Sequence, residues 1–140
     1  MSINPSIFKE YDIRGKYPQE INEKTAYSVA KALVSFLGLN PPTGGGKIVL
    51  GRDNRQSSLK LAQGALNGLT EAGIDAIDVG MVTTPELNFA CCFLKANAGI
   101  MITASHNPLN YNGIKLMKKN AEPIGGKSLQ KIYEIAKRQS

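Results

Sequence analysis

The sequence of 140 residues has no tryptophan, one histidine and two cysteines. The cysteines, Cys91 and Cys92, are neighbours within an apolar segment, which is typical of small buried side chains. This arrangement excludes a disulfide framework and a cysteine-based metal knuckle, and it favours a reducing environment. The one histidine, His106, leaves no other imidazole for a catalytic triad.

Long hydrophobic runs are also missing. No apolar stretch approaches the ~20 residues that a helix needs to cross a bilayer. The first residues, MSINPSIFKEYDIRG, lack the charged-then-apolar order of a signal peptide. We therefore expect a cytoplasmic protein without a membrane partner.

Charge is the most unbalanced feature of the composition. The formal net charge is +6, which favours acidic partners such as phosphorylated metabolites, nucleic acid or an anionic membrane surface. The basic residues form no long block, and the five tyrosines and four phenylalanines are not interleaved with them. We therefore expect no nucleic-acid partner.

Helical periodicity alternates with short apolar runs along the chain. Helices are predicted over 23–38, 57–73, 85–96 and 127–139, and extended segments over 47–53, 74–80, 98–104 and 113–119. Ser57 and Thr84 are the expected cap residues of the second and third helices, and Pro85 is expected at the first helical position. The pair Pro41-Pro42 should stop the first helix, and the TGGG segment should be a flexible connection.

This alternation predicts a three-layer α/β/α domain around a mixed, largely parallel sheet. In such sheets ligands bind beyond the carboxyl ends of the strands. Two of the predicted strands end in reactive or charged residues. One runs into Arg52, Asp53 and Arg55, and the other into Ser105, His106 and Asn107.

Three interpretations of the second strand end are possible. A hydrolase pair of Ser105 and His106 is disfavoured, because adjacent residues of an extended chain point to opposite faces and no Gly-x-Ser-x-Gly elbow is present. Phosphoryl transfer fits better, with Arg14, Arg52, Arg55 and Lys115 supplying positive charge. The non-catalytic alternative is two successive turns, at Asn107-Pro108 and Asn112-Gly113, since both pairs are common turn formers. In that alternative Arg52 and Arg55 are solvated charges, Asp53 caps the next helix, and Tyr11 is a packing residue.

Three blocks resemble the α-D-phosphohexomutases. TASHNPLNYNGIKL at 103–116 resembles the active-site serine loop of that family, EYDIRG at 10–15 its N-terminal block, and GRDNRQSS at 51–58 its G-R-D-x-R-x-S block. The wording EYDIRG is closest to the phosphomannomutase/phosphoglucomutase branch.

The resemblance implies that residues 1–140 form domain I of four, with domains II, III and IV absent from this chain. The D-G-D-x-D metal loop of the second domain is not found in the sequence. We therefore expect an inactive isolated domain, whose partners are the missing domains of the same polypeptide and phosphorylated mannose or glucose.

The family's chemistry implies roles for individual residues. Ser105 would carry a phosphoryl group that it gives to a sugar monophosphate through a bisphosphate intermediate, with sugar 1,6-bisphosphate as activator. Magnesium would bind one oxygen of that phosphoserine together with carboxylates of the second domain. Lys115 resembles the general acid/base, and His106 would share proton transfer or bind substrate.

The remaining candidates are assigned on the same resemblance and on ordinary charge pairing. Tyr11 and Arg14 are expected to orient the phosphoserine, and Asn107 to stiffen the loop through side-chain to backbone hydrogen bonds. Arg52 and Asp53 are expected to form a supporting ion pair. Two other functions stay open, namely a non-catalytic phosphate-binding or regulatory module and domain I of a phosphoglucosamine mutase.

Overall fold

The structure is a computed structural model that describes residues 2–39 and 45–139. Pro41-Pro42 and the first half of the TGGG connection lie outside the described residues. The strands are β1 (Ile13–Lys16), β2 (Lys47–Arg52), β3 (Asp75–Met81), β4 (Ala98–Ile102), β5 (Tyr111–Lys118) and β6 (Glu122–Pro123). The helices are α1 (Glu23–Phe36), α2 (Gln56–Glu71), α3 (Thr84–Phe93) and α4 (Gly126–Gln139).

One mixed sheet runs through the centre of the domain in the order β1-β5-β4-β2-β3. Strands β2, β3 and β4 are parallel, whereas β5 runs antiparallel to both β4 and β1. The short β6 pairs with the carboxyl end of β5. The predicted mixed, largely parallel sheet is therefore confirmed.

Alternating side chains divide the core between the two faces of this sheet. Ile48 and Leu50 of β2 belong to the larger cluster, to which buried residues of α1, α2 and α4 also belong. Val49 belongs to the smaller cluster with residues of α3. Because side chains alternate along a strand, this pattern builds the three layers that the sequence predicts.

Close packing of α1 against α2 depends on two glycines of α2. A Cβ atom at Gly64 would lie 2.3 Å from the carbonyl oxygen of Glu23, and one at Gly68 would lie 2.5 Å from that of Tyr27. Since these neighbours are backbone atoms, the two helices approach closely only because α2 has no side chain at those positions. Within the described ranges, no helix has both the length and the apolar composition needed to cross a bilayer.

Several local predictions are wrong. The cap of α3 is Thr83, not Thr84, and its hydroxyl and the Glu86 carboxylate form a reciprocal capping box. The cap position of α2 is Arg55, without a side-chain cap bond, and Ser57 lies inside the helix. The sequence also gave no signal for β1 or β6.

The pair Asn112-Gly113 lies inside β5, not in a turn. A Cβ atom at Gly113 would lie 2.5 Å from the Ile13 carbonyl oxygen and 2.8 Å from that of Thr103. Glycine is required there because the two neighbouring backbone segments leave no room for a side chain, and not because the chain turns.

Candidate active site

The loop that follows β4 presents Ser105 to solvent. Ser105 is exposed and has a φ of 54°, in the left-handed region that residues with a side chain rarely adopt. Its amide donates to the Thr103 hydroxyl at 3.0 Å. The backbone amide of Asn107 donates to the Ala104 carbonyl at 3.1 Å, and its side-chain amide donates to the same oxygen at 2.9 Å. The serine thus sits at the tip of a closed turn.

Arg55 lies beneath this loop and is only 8% exposed. Its Nη2 donates to the carbonyl oxygens of Ser105 at 3.1 Å and Asn107 at 2.7 Å. Its Nη1 donates to those of Pro108 at 2.7 Å and Tyr111 at 3.2 Å. One guanidinium therefore fixes the backbone of the loop at four points.

A buried polar network continues from Arg55 into the core. Asp53 accepts from Arg55 Nε at 3.3 Å through one carboxylate oxygen, and from the Arg55 amide and the Ser58 hydroxyl through the other. The side-chain amide of Asn112 donates to Ser57 Oγ at 2.7 Å and Ser58 Oγ at 3.0 Å, and its oxygen accepts from the Gly113 amide. Ser58 and Asn112 are fully buried, so these bonds replace water that both side chains have lost.

The block at 10–15 forms a tight turn that leads into β1. The Lys9 amide donates to the Asp12 carbonyl at 2.8 Å, and the Gly126 amide donates to the Glu10 carbonyl at 2.7 Å. Tyr11, at the tip, is 78% exposed. Asp12 is buried and forms an ion pair with the Arg14 guanidinium.

A cavity of about 640 Å³ opens between this turn, β5 and α3. Tyr11, Arg14 and Lys115 line it, together with Thr84 and Asn88 of α3. Arg14 Nε and Asn88 Oδ1 are buried and have no hydrogen-bond partner among the residues that the structure describes. Unsatisfied buried polar atoms are uncommon and costly, which makes this cavity a candidate ligand site.

The sheet places this cavity close to the Ser105 loop. The Thr103 amide donates to the Gly113 carbonyl, and Gly113 lies opposite Arg14 in β1. The backbone of Thr103, two residues before Ser105, therefore lies two strand spacings, about 10 Å, from the backbone of Arg14. On the middle strand, Lys115 follows Gly113 by two positions and faces the α3 side.

The predicted residues therefore fall into two groups. Tyr11, Arg14 and Lys115 line one cavity, whereas Ser105 and His106 are exposed on the neighbouring loop and do not line it. The predicted ion pair of Arg52 with Asp53 is replaced by the pair of Arg55 with Asp53. Arg52 has no ion-pair or hydrogen-bond partner for its side chain among the described residues.

The sequence predicted only a positive charge for Arg55 and a turn at Asn112, and it assigned no role to Ser58 or Asn88. Arg55, Ser58 and Asn112 lie inside the two blocks that resemble the family, at 51–58 and 103–116. Their position in those blocks was the available sequence signal that they matter for the site. It was not decisive, because the partner of a buried polar side chain depends on pairing between distant segments.

The described residues do not form a metal centre of their own. They contain no group of three or more histidine, cysteine, aspartate or glutamate side chains able to hold a metal ion. The magnesium expected from the resemblance would therefore need ligands in addition to a phosphate oxygen on Ser105 and the side chains that the structure describes. One perturbed pair lies near the loop, where burial and a hydrogen bond to Glu23 raise the pKa of Tyr17 to about 12.

Comparison with known proteins identifies the class of domain that this fold and site define. The family model described as phosphoglucomutase/phosphomannomutase, alpha/beta/alpha domain I, matches residues 5–140. The chain belongs to that family.

Individual relatives agree with this assignment. A phosphomannomutase of Escherichia coli is 45% identical over 130 residues, which are 92% of this chain and 27% of the relative. A phosphomannomutase of Klebsiella pneumoniae is also 45% identical over 130 residues, covering 79% of its length. A crystal structure of a phosphoglucomutase/phosphomannomutase family protein from Burkholderia thailandensis superposes with a TM-score of 0.82 at 36% identity, over 96% of this chain and 30% of that one.

Proposed function

We propose that this chain is the phosphoserine-bearing domain of a phosphomannomutase/phosphoglucomutase, which interconverts hexose 1-phosphate and hexose 6-phosphate through a bisphosphate. The observation that supports this most is the pairing of an exposed serine on a rigidly held loop with an adjacent cavity lined by Arg14 and Lys115. Phosphoryl transfer needs positioning and charge neutralisation above all, and these two features supply them.

In the proposed step, a hydroxyl oxygen of the sugar monophosphate attacks the phosphorus of phosphorylated Ser105. The bond between phosphorus and Ser105 Oγ breaks as the hydroxyl proton passes to Lys115 acting as general base, and the leaving Ser105 Oγ takes up that proton from Lys115. In the return step, the other phosphate of the bisphosphate is transferred to Ser105 with the proton movements reversed. The sum of both steps moves a phosphate between C1 and C6 without a net change in the protein.

The neighbouring residues have supporting parts in this proposal. Tyr11 and Arg14, from the turn at the cavity edge, would orient and neutralise the phosphoserine. Exposed His106 would bind substrate or share proton transfer, and Asn107 would keep the loop closed through its bond to the Ala104 carbonyl.

The whole reaction needs more than this chain. The chain spans only 27% of the Escherichia coli relative and 30% of the Burkholderia thailandensis chain. We propose that domains II to IV of one polypeptide complete the cleft, read the sugar and supply the remaining ligands of a magnesium ion. Mannose and glucose phosphates would be the substrates, and the cytoplasm the site of the reaction.

A domain exchange tests the proposal. This chain would replace the matched 130 residues of the Escherichia coli phosphomannomutase, and the chimera would be assayed with mannose 1-phosphate and glucose 1-phosphate. Intact-mass spectrometry after incubation with a hexose 1,6-bisphosphate should show one added phosphoryl group. Ser105→Ala should abolish both the added mass and the turnover, because it removes the hydroxyl oxygen that carries the phosphoryl group in this proposal.

Ser2→Ala is the matched control, since Ser2 is another exposed serine outside the loop. It should behave like the unmodified chimera. Full turnover in Ser105→Ala would contradict the proposal. An inactive, unphosphorylated chimera that folds normally would instead favour a module that binds phosphate without catalysis.

A further inference from the structure

We infer that Arg55 is the positioning residue of Ser105, acting on the loop backbone and not on the phosphate. The inference rests on the proposed function, because it concerns how the serine is presented for phosphoryl transfer. Charge alone would have placed Arg55 among the phosphate-binding residues, together with Arg14 and Lys115.

The argument begins with the hydrogen-bond capacity of Arg55. A guanidinium has five N–H donors. In this structure Nε bonds to Asp53, Nη1 bonds to two carbonyl oxygens and Nη2 bonds to two more. Every donor has a protein acceptor, so none is left for a phosphate oxygen.

Burial and charge lead to the same conclusion. The Arg55 side chain is 8% exposed, and its charge is paired with the Asp53 carboxylate. Arg14 contrasts with it, since its side chain is 33% exposed and its Nε is without a partner among the described residues. A phosphate approaching from solvent would therefore meet Arg14 and not Arg55.

The four carbonyl contacts also set which loop groups face outward. A planar trans peptide directs its N–H opposite to its C=O. Because the Ser105 carbonyl points towards Arg55, the His106 amide points away from it. Arg55 thereby turns a carbonyl oxygen, which would repel a phosphate, inward and an N–H donor outward.

The conformation of Ser105 explains why such a clamp is needed. Its φ of 54° is unfavourable for a residue with a side chain and persists only where the surroundings impose it. The bond from Arg55 to the Ser105 carbonyl is one such constraint. Since a 1 Å displacement of a reacting group can lower a rate by about 10²-fold, loosening the loop should affect turnover more than binding.

Arg55→Lys in the chimera tests the inference, because lysine keeps the charge but has three donors and no planar fork. We expect kcat to fall by about 10²-fold while KM changes by less than about threefold. In Arg55→Ala, added methylguanidinium should restore part of the lost kcat by refilling the site. Arg138→Lys on α4, where Arg138 is exposed, should leave both parameters unchanged.

Thermal unfolding separates positioning from general destabilisation. Ile132→Val removes a methylene from the core on α4 and should lower the melting temperature without changing kcat. If Arg55→Lys does not fold, Asp53→Asn is the second variant, since it weakens the hold on Arg55 Nε and should lower kcat in the same direction.

The outcomes are distinguishable from failure of the proposed function. A rise in KM with unchanged kcat would assign Arg55 to phosphate binding, and unchanged values of both would remove its role; each overturns the inference. Either result counts only in a chimera that is active and that Ser105→Ala inactivates. An inactive parent chimera, or an active Ser105→Ala, overturns the proposed function itself.

Discussion

Arg55 and Arg14 lie on two sides of the same candidate site, yet their surroundings differ. Arg55 is nearly buried, and each of its donors has a protein partner. Arg14 is partly exposed to a cavity, is paired with Asp12, and keeps its Nε without a partner among the described residues. We call the Ser105 loop with Arg55 the loop side of the site, and the cavity lined by Arg14 the cavity side. All the donors of Arg55 on the loop side are hydrogen-bonded within the protein, whereas the Nε of Arg14 on the cavity side has no such bond among the described residues.

This difference indicates that the two sides of the site have different roles. Polar groups that bond to one another give a fixed backbone, and polar groups left without partners give a place where a ligand can bind. Substitutions on the loop side should therefore lower the stability of the fold and disturb the position of Ser105. Substitutions on the cavity side should lower phosphoryl transfer and leave stability nearly unchanged.

The largest expected effect on the cavity side is that of Lys115→Ala. We expect phosphoryl transfer in the chimera to fall by about 10²–10⁴-fold, the usual contribution of a general acid or base. The urea unfolding midpoint should hardly move, because the lysine side chain has no hydrogen-bond or ion-pair partner among the described residues. Single-turnover transfer from a hexose 1,6-bisphosphate would be measured.

Lys118→Ala is the control on the same strand. Lys118 is exposed, and its ion pair with Glu122 at 3.6 Å lies on the surface, where such pairs contribute little. Transfer should be unchanged in this variant. A large loss of stability in Lys115→Ala would show that the cavity side also stabilises the fold. That result would contradict the contrast between Arg55 and Arg14.

On the loop side, Asn112→Ala should lower the free energy of unfolding by about 2–3 kcal/mol. The substitution leaves the buried Gly113 amide without its acceptor and the two α2 hydroxyls without their donor. Asn110→Ala is the control, because Asn110 is exposed and contributes only its backbone carbonyl, to Tyr17. Equal midpoints in urea for the two variants would mean that the network beneath the loop does not stabilise the fold.

Much of the fold was predictable from the sequence because the central strands are buried on both faces. Residues 48–51 and 98–102 form continuous runs without charged or polar side chains, and that pattern is typical of such strands. By contrast, β1 is four residues long and includes a glycine and two charged residues, so it has no strand signal of its own. It exists because it pairs with β5, and pairing is not visible in local composition.

The candidate site was predictable only in part, for a related reason. Ser105 and Lys115 stand out because they occupy a distinctive block, and both lie near the end of the sheet where a ligand is expected. Arg52 and Arg55 could not be ranked, since the two stand three positions apart in one block. The difference between them depends on a loop fifty or more residues away, whose carbonyl oxygens accept hydrogen bonds from the Arg55 guanidinium.

The smallest expected effect concerns Tyr17, which ties the loop side to α1. Its hydroxyl donates to the Glu23 carboxylate, and its amide donates to the Asn110 carbonyl at 2.9 Å. Burial first, and then the bond to Glu23, raise the pKa of Tyr17 from 10.0 to about 12. The same bond is the main cause that lowers the pKa of Glu23.

The sign of the pH dependence follows from these directions. Tyr17 holds its proton more tightly in the folded chain than in the unfolded chain, so its contribution is complete below pH 10 and is lost as the pH rises towards 12. Glu23 contributes above its ordinary pKa of 4.5 and loses that contribution as the pH falls through its lowered folded value. Tyr17→Phe should therefore cost about 1 kcal/mol near neutral pH, the usual net worth of one hydrogen bond.

Urea unfolding of the parent and of Tyr17→Phe, followed from pH 7 to pH 12, would measure this contribution. The difference between the two should be constant up to pH 10 and shrink above it, because the parent alone loses the Tyr17 proton that donates to Glu23. Tyr133→Phe is the control, since Tyr133 packs edge-on against Phe8 with ring centroids 5.0 Å apart and should show no such convergence. Parallel curves for the parent and Tyr17→Phe across pH 10–12 would show that this bond does not hold the loop side to α1.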